Sequence, residues 1–219
     1  MDWRSLISPY ALALNVGRNY EPARHLRYIS DHIVRAFRDK DAPKILLVEA
    51  PPRHGKSDLI SWYTPAWALI NCPHARIMHA AYSEKVSKRF GRLVRDTYRA
   101  LGKQTNGYGV SQEVNSAGNW QTTAGGGMVC VGKGGALTSL GANLLIIDDP
   151  IRNAAEALSS KMRESLRDWW GSTALTRMEP GAVAIITHTR WHREDLIGEV
   201  LKAAATADGI AVSHISLPA

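Results

Sequence analysis

Between Arg24 and Phe37, the apolar residues Leu26, Ile29, Ile33, Val34 and Phe37 recur at spacings of three and four, and this period predicts an amphipathic helix. The helix leads into Lys44–Glu49, a run short, apolar and β-branched enough for a strand buried on both faces of a parallel sheet. Runs of the same kind span Ala75 to Ala81, Met128 to Val131, Leu144 to Ile147 and Ala182 to Thr187, with helical patterns between most of them. Strands alternating with helices predict an α/β architecture with a mainly parallel central sheet flanked by helices. Residues Gly102 to Gly127 are rich in Gly, Asn, Ser and Thr and lose periodicity, which predicts an irregular insertion or hairpin there and not a linker between domains. No internal repeat or low-complexity tract interrupts the pattern.

A helix is also predicted from about Ser83 to Leu101. Its Lys85, Lys88, Arg89, Arg92, Arg95 and Arg99 fall within an arc of about 120° at ~100° per residue, opposite Val86, Phe90, Leu93, Val94 and Leu101. Such a stripe fits either a solvated outer face or a surface for DNA phosphates or a neighbouring subunit. The net charge of +7 and isoelectric point near 9.6 make polyanions the first partners to test, although charge alone fits an indifferent basic surface equally well.

With 219 residues the chain fits one domain, or one domain plus an extension. No apolar run approaches the ~20 residues of a membrane span, and Met1-Asp2-Trp3-Arg4 does not open a secretion signal. A cytoplasmic protein that is neither secreted nor membrane-bound is expected. Only Cys72 and Cys130 occur, without a CxxC pair, so buried thiols are expected, with neither disulfides nor structural zinc.

The chemistry concentrates where the predicted strands end. After Glu49 comes Ala50-Pro51-Pro52-Arg53-His54-Gly55-Lys56-Ser57, then Asp58 and a segment able to continue as a helix. Gly55 lets the backbone approach phosphates at a helix N-terminus, Lys56 can reach the β- and γ-phosphates, and the Ser57 hydroxyl can ligate Mg²⁺. These are the parts of a Walker A site, with Pro52, Arg53, His54, Gly55, Lys56, Ser57 and Asp58 as the nucleotide-binding residues. It is a variant, because Ala50 stands where the first glycine is usual and Pro51-Pro52 stiffen the loop. The run Leu144-Leu145-Ile146-Ile147-Asp148-Asp149-Pro150 supplies the second part, with Asp148 suited to the Mg²⁺ shell and Asp149 to polarising the attacking water. A Glu usually fills the latter role. The plainer alternative is a strand end capped by solvated aspartates. A third strand, Ala182 to Thr187, ends in His188-Thr189-Arg190-Trp191-His192, where Thr187, His188 or Thr189 could sense the γ-phosphate. His188 and His192 make an unconvincing metal pair, because no third ligand is suggested.

Taken in order, Pro51–Ser57, Ile146-Ile147-Asp148-Asp149-Pro150, and Thr189-Arg190-Trp191-His192 with Asp195-Leu196-Ile197-Gly198 resemble the ATPase, or motor, domain of bacteriophage large terminases, which package DNA into phage heads. The likeness runs from about Tyr20, takes in Ala81-Tyr82-Ser83 and Leu166 to Trp170, and reaches Ser216-Leu217-Pro218-Ala219, which resembles the family's passage into its nuclease domain. The resemblance implies an ASCE-type P-loop NTPase fold, with a helical N-terminal segment (1–43) before an ATPase core (44–219). It implies a chain truncated before an RNase H-like nuclease domain, so that DNA cleavage is not expected of it. ATP and Mg²⁺ are the implied cofactors. The implied partners are double-stranded DNA, portal protein, the small terminase subunit and further copies of the chain in a pentameric ring, with a monomer in isolation. The implied location is the bacterial host cytoplasm, transiently at the procapsid.

By the same resemblance Arg53 touches the γ-phosphate, Asp148 is the Walker B carboxylate, Asp149 stands at the catalytic Glu position, and Thr187–Thr189 form the coupling motif. Arg53, Lys56 and Asp149 are thus the expected catalytic residues. The family's subunit-crossing arginine often precedes the Walker B strand, where this chain has Thr138-Ser139-Leu140-Gly141-Ala142, leaving Lys133, Arg152 and Arg190 as weak candidates. Tyr20, Pro22 and His25 are weaker candidates for contacting adenine. Two other functions stay open: a helicase-like, nucleic-acid-stimulated ATPase, although tracts of interleaved basic and aromatic residues are not obvious, and a non-hydrolysing nucleotide-binding module that docks onto packaging partners.

Overall fold

A computed structural model describes residues 6–17, 20–135, 141–206 and 210–217. Two helices come first. α1 (Pro9–Val16) starts at Ser8, whose side chain accepts a hydrogen bond from the Ala11 amide, with Pro9 in the first turn where its missing N–H costs nothing. α2 (Arg24–Arg38) follows and buries Leu26, Ile29 and Ile33, with Val34 and Phe37, which its period also selected, only partly buried.

Strand β1 (Ile45–Glu49) delivers the chain to the loop that carries Arg53, Gly55 and Lys56. A π-helical segment, Asp58–Tyr63, runs directly into α3 (Thr64–Asn71). Then come β2 (Arg76–Ala81), α4 (Glu84–Asn106), β3 (Val110–Asn115), β4 (Asn119–Thr122), β5 (Gly127–Gly132) and β6 (Ala142–Asp148). After α5 (Ala154–Leu158) and α6 (Ser160–Trp169), π-helical and 3₁₀ turns carry the chain into β7 (Met178–His188), α7 (Leu196–Ala204) and β8 (Val212–Ser216).

The strands form one eight-stranded sheet in the order β3-β4-β5-β2-β6-β7-β1-β8. It is parallel from β5 to β8, while β3 and β4 add an antiparallel edge. The predicted α/β fold with a mainly parallel sheet is the fold observed. β7 lies between β1 and β6, and its Thr187 is level with Val48 on one side and Asp148 on the other. The ends of these three strands therefore meet at one edge of the sheet.

Each face of the sheet has its own core. Leu46, Val48, Ile146 and Ile185 pack with Leu12, Leu26, Ile29, Leu59, Trp67 and Val94 from α1 to α4. Leu47, Leu145, Ile147 and Ile186 pack with Trp169, Trp170, Ile197 and Val200 on the other face. The alternation of strand side chains between two apolar layers is why the central strands read as continuous apolar runs.

Of the two readings of segment 102–127, the hairpin is the one observed: α4 runs past its predicted end to Asn106, stops at Gly107 in a left-handed conformation, and β3 and β4 form a hairpin on the sheet edge. β3 presents no fully buried position, so it carries no apolar alternation. β8, the strand at the opposite edge, likewise buries only Ile215 and was not predicted. Cys130 is buried as expected, but Cys72 is exposed, because it ends α3 as its C-cap.

Candidate nucleotide site

The candidate phosphate loop turns back on itself through two residues of left-handed conformation, Arg53 (φ 64°) and Gly55 (φ 76°). Gly55 is suited to this geometry, and a Cβ there would stand 3.0 Å from Leu26 Cδ1. α2 holds the loop from the side, with His25 Nε2 donating to the His54 carbonyl at 2.9 Å. His54 Nδ1 in turn donates to the Pro52 carbonyl at 2.8 Å. Leu59 N donates to the Gly55 carbonyl at 3.1 Å, beginning the helical turns whose N-terminus faces the loop. Pro52, Arg53, Gly55, Lys56, Ser57, Asp58 and Asp149 line a cleft of about 210 Å³. Burial raises the Asp58 carboxyl, with Arg89 pulling the other way.

Lys56 is 4% exposed, and its ammonium donates to Asp149 Oδ1 at 3.2 Å and to Thr189 Oγ1 at 3.3 Å. Asp148, at the end of β6, accepts from Ser57 Oγ at 3.2 Å and from Ser61 Oγ at 2.8 Å. Burial, reinforced by the charge of Asp149, pushes the Asp148 carboxyl up to about 7 against the pull of Ser61, Lys56 and Ser57. A buried carboxylate with hydroxyls for partners is an incomplete charge balance, and a divalent cation beside Ser57 and Asp148 would complete it. Among the described residues no group of three or more His, Cys, Asp or Glu side chains gathers, at this edge or elsewhere.

Asp149 leaves the strand in a left-handed conformation (φ 42°), which turns its side chain into the cleft. Its amide donates to the Thr187 carbonyl at 2.8 Å, and its carbonyl accepts from Tyr82 N at 3.2 Å. Thr189 N donates to the Asp149 carboxylate at 3.1 Å. Thr187 Oγ1 is buried without a hydrogen-bond partner among the described residues. His188 Nδ1 donates to the Thr189 carbonyl at 3.0 Å, while Nε2 stands 3.7 Å from Asp195 Oδ1, too far for a hydrogen bond. Burial lowers the His188 pKa, opposed by Asp195. Of the three residues proposed for coupling, Thr189 is therefore the one that touches Lys56 and Asp149.

The basic residues of α4 divide into two groups. Lys85, Arg89 and Arg92 are exposed. Lys88 pairs with Glu84 at 2.6 Å. Arg95, only 15% exposed, pairs with Asp96 and donates to the Asn115 carbonyl at 3.1 Å. Arg99 donates to Asp96 Oδ1 at 2.8 Å and Asn115 Oδ1 at 3.2 Å. The end of the stripe thus fastens β3 to α4.

Thr138, Ser139 and Leu140 lie outside the described residues. Lys133 is bonded to Glu156 and Arg190 to Glu49 and Asp195, whereas Arg152 is exposed. Tyr20 packs edge-on against Tyr63, its hydroxyl buried and its pKa raised chiefly by that burial; Pro22 is exposed.

Sequence reasoning missed two parts of this edge. One is Ser61, whose spacing of four from Ser57 could have marked a second hydroxyl on the same helical side. The other is a polar cluster of Glu49, Arg190, Asp195, His214 and Ser216, assembled from β1, β8 and the loop after β7. Its three segments, around Glu49, Arg190–Asp195 and His214–Ser216, lie too far apart in sequence to announce one another.

No protein-family model and no curated protein matches the chain. Solved structures match by fold. The crystal structure of the large terminase of bacteriophage HK97 is 14% identical with a TM-score of 0.60, over 92% of this chain and 40% of that one. The large terminase of a thermophilic bacteriophage is 13% identical with a TM-score of 0.50, over 85% of this chain and 44% of that one. The chain has a large-terminase-like P-loop fold and spans less than half the length of these two proteins.

Proposed function

We propose that this chain is an ATP-hydrolysing motor domain of a large terminase, coupling Mg-ATP hydrolysis to the movement of double-stranded DNA into a procapsid. The observation that carries this reading is the convergence of Lys56, Ser57, Asp148, Asp149 and Thr189 at one sheet edge, from three strands separated in sequence. The bound triphosphate is cradled by the loop around Gly55, with Lys56 neutralising its β- and γ-phosphates and Arg53 reaching the γ-phosphate from the rim. Ser57 and Asp148 would hold Mg²⁺, which would supply charge neutralisation on the phosphates. Phosphates that draw Lys56 toward them release the Asp149 carboxylate, which then orients the attacking water and accepts its proton. Thr189, bonded to both side chains, passes the change into β7.

A portal protein, a small terminase subunit and further copies of the chain in a pentameric ring are the partners this function requires, in the host cytoplasm at the procapsid. A second reading, a nucleotide-binding module without turnover, is favoured by Asp149, a methylene shorter than the usual Glu and tied to Lys56. Steady-state phosphate release separates the two. The wild-type chain is expected to turn over ATP, and Lys56→Ala to lose about 100-fold or more of it. Near-normal hydrolysis by Lys56→Ala removes the site assignment, and nucleotide binding without phosphate release by the wild type establishes the module.

A further inference from the structure

We propose that Arg190 and Glu49 form a clasp that fixes the phosphate loop and Thr189 at one height, which makes Arg190 a positioning residue for hydrolysis; this rests on the function proposed above. Glu49 is the last residue of β1, immediately before the loop that carries Lys56. Arg190 immediately follows Thr189, which bonds Lys56 and Asp149. The guanidinium is spent inward on every side. Nη1 donates to Glu49 Oε1, Nε to Asp195 Oδ2 at 2.6 Å, and Nη2 to the Arg193 carbonyl at 3.1 Å.

Each acceptor is itself anchored. Asp195 is fully buried and caps α7 by accepting from the Gly198 amide at 3.0 Å. A side chain at position 198 would drive its Cβ into the Arg193 carbonyl, so glycine keeps that acceptor in reach of Arg190. Glu49 also accepts from His214 Nε2 at 2.9 Å and Ser216 Oγ at 3.1 Å, both on β8. Burial would raise the Glu49 carboxyl, but the bonds from Arg190 and His214 outweigh it and hold the group below the usual carboxylate range. The clasp therefore stays charged.

A guanidinium fork occupied on three sides is not free to reach a neighbouring subunit, and a lysine, a single point charge, cannot bridge the same acceptors. Because Arg190 adjoins Thr189 and Glu49 anchors the start of the loop that carries Lys56, loosening the clasp shifts Lys56 against Thr189 and Asp149 without removing any group that touches nucleotide. Misplacement of reacting groups by about 1 Å can cost as much as 100-fold in rate.

The test compares the wild type with Arg190→Gln, Arg190→Lys, Glu49→Gln and the double variant Glu49→Gln/Arg190→Gln, measuring steady-state phosphate release, binding of a fluorescent ATP analogue and thermal midpoint. In each single variant kcat is expected to fall about tenfold or more while analogue affinity stays within about twofold. The double variant should lose no more than the worse single one, because the pair acts as a unit. Arg190→Lys, the variant least disturbing to folding, should stay impaired. With an active wild type, full kcat in Arg190→Lys or Arg190→Gln overturns the clasp, as does a parallel fall of kcat, binding and midpoint in every variant. A wild type that releases no phosphate overturns the proposed function and this inference together.

Discussion

Asp149 carries two demands that few residues meet together. Its φ of 42° lies in a region costly for most side chains but tolerated by Asp and Asn, and its carboxylate must reach into the cleft. The short side chain that departs from the usual Glu thus has a backbone reason as well as a chemical one. Asp149→Asn keeps shape and left-handed tolerance while removing the proton acceptor. This variant should bind the fluorescent ATP analogue as the wild type does and lose phosphate release by about 100-fold. Equal losses of binding and turnover would make Asp149 a structural or metal-shell residue instead. Lys56 fits the same picture, because a buried ammonium bonded to Asp149 and Thr189 gains a richer set of partners when phosphates arrive.

At the scale of elements, the strands legible in the sequence are those of the parallel core, and the illegible ones are the antiparallel hairpin β3–β4 and the edge strand β8. β2 shows how an interior strand accommodates a polar residue. His79 is fully buried, its Nδ1 2.7 Å from Ser87 Oγ on α4 and its Nε2 without a partner among the described residues. Ser87 donates to the His79 carbonyl, so the ring donates to Ser87 Oγ from Nδ1. Burial holds its pKa down at about 3, from an ordinary value of 6.5. Between those values the unfolded chain binds a proton that the folded chain refuses. The contribution of His79 to stability is therefore complete above about pH 6.5 and is lost as pH falls toward 3. His79→Leu should flatten that dependence by up to about 1.4 kcal/mol per pH unit between pH 6 and 4, read from urea midpoints. The slope that remains is set by the buried His188, lowered for the same reason, against Asp148, whose raised carboxyl acts in the opposite direction. Parallel wild-type and variant curves would show that His79 opens to water before the chain unfolds.

Across the whole molecule, the net charge of +7 needs a surface on which to act, and the structure redistributes the candidates. Arg95 and Arg99 fasten β3 through Asn115, so Lys85 and Arg92 are the better probes of polyanion contact. If the stripe meets DNA, changing Lys85 and Arg92 together to Gln should flatten log affinity against log salt by about two units. Arg95→Gln should instead lower the thermal midpoint and leave that slope alone; an unchanged slope in the double variant takes the stripe off the DNA path. The sequence by itself determined the alternation of elements, the parallel core and the order in which the candidate phosphate and carboxylate groups leave its strands. Those features are local, because burial on both faces writes an apolar run and a strand end exposes its polar residues nearby. Only the tertiary structure decided that β7 separates β1 from β6, that Ser61 shares Asp148 with Ser57, and that Arg190 turns inward to Glu49 instead of outward. The polar edge strands β3 and β8 belong with these. A strand exposed on a sheet edge needs no apolar alternation, and an ion pair between residues 49 and 190 leaves no periodic trace, since both are set by which distant strands become neighbours.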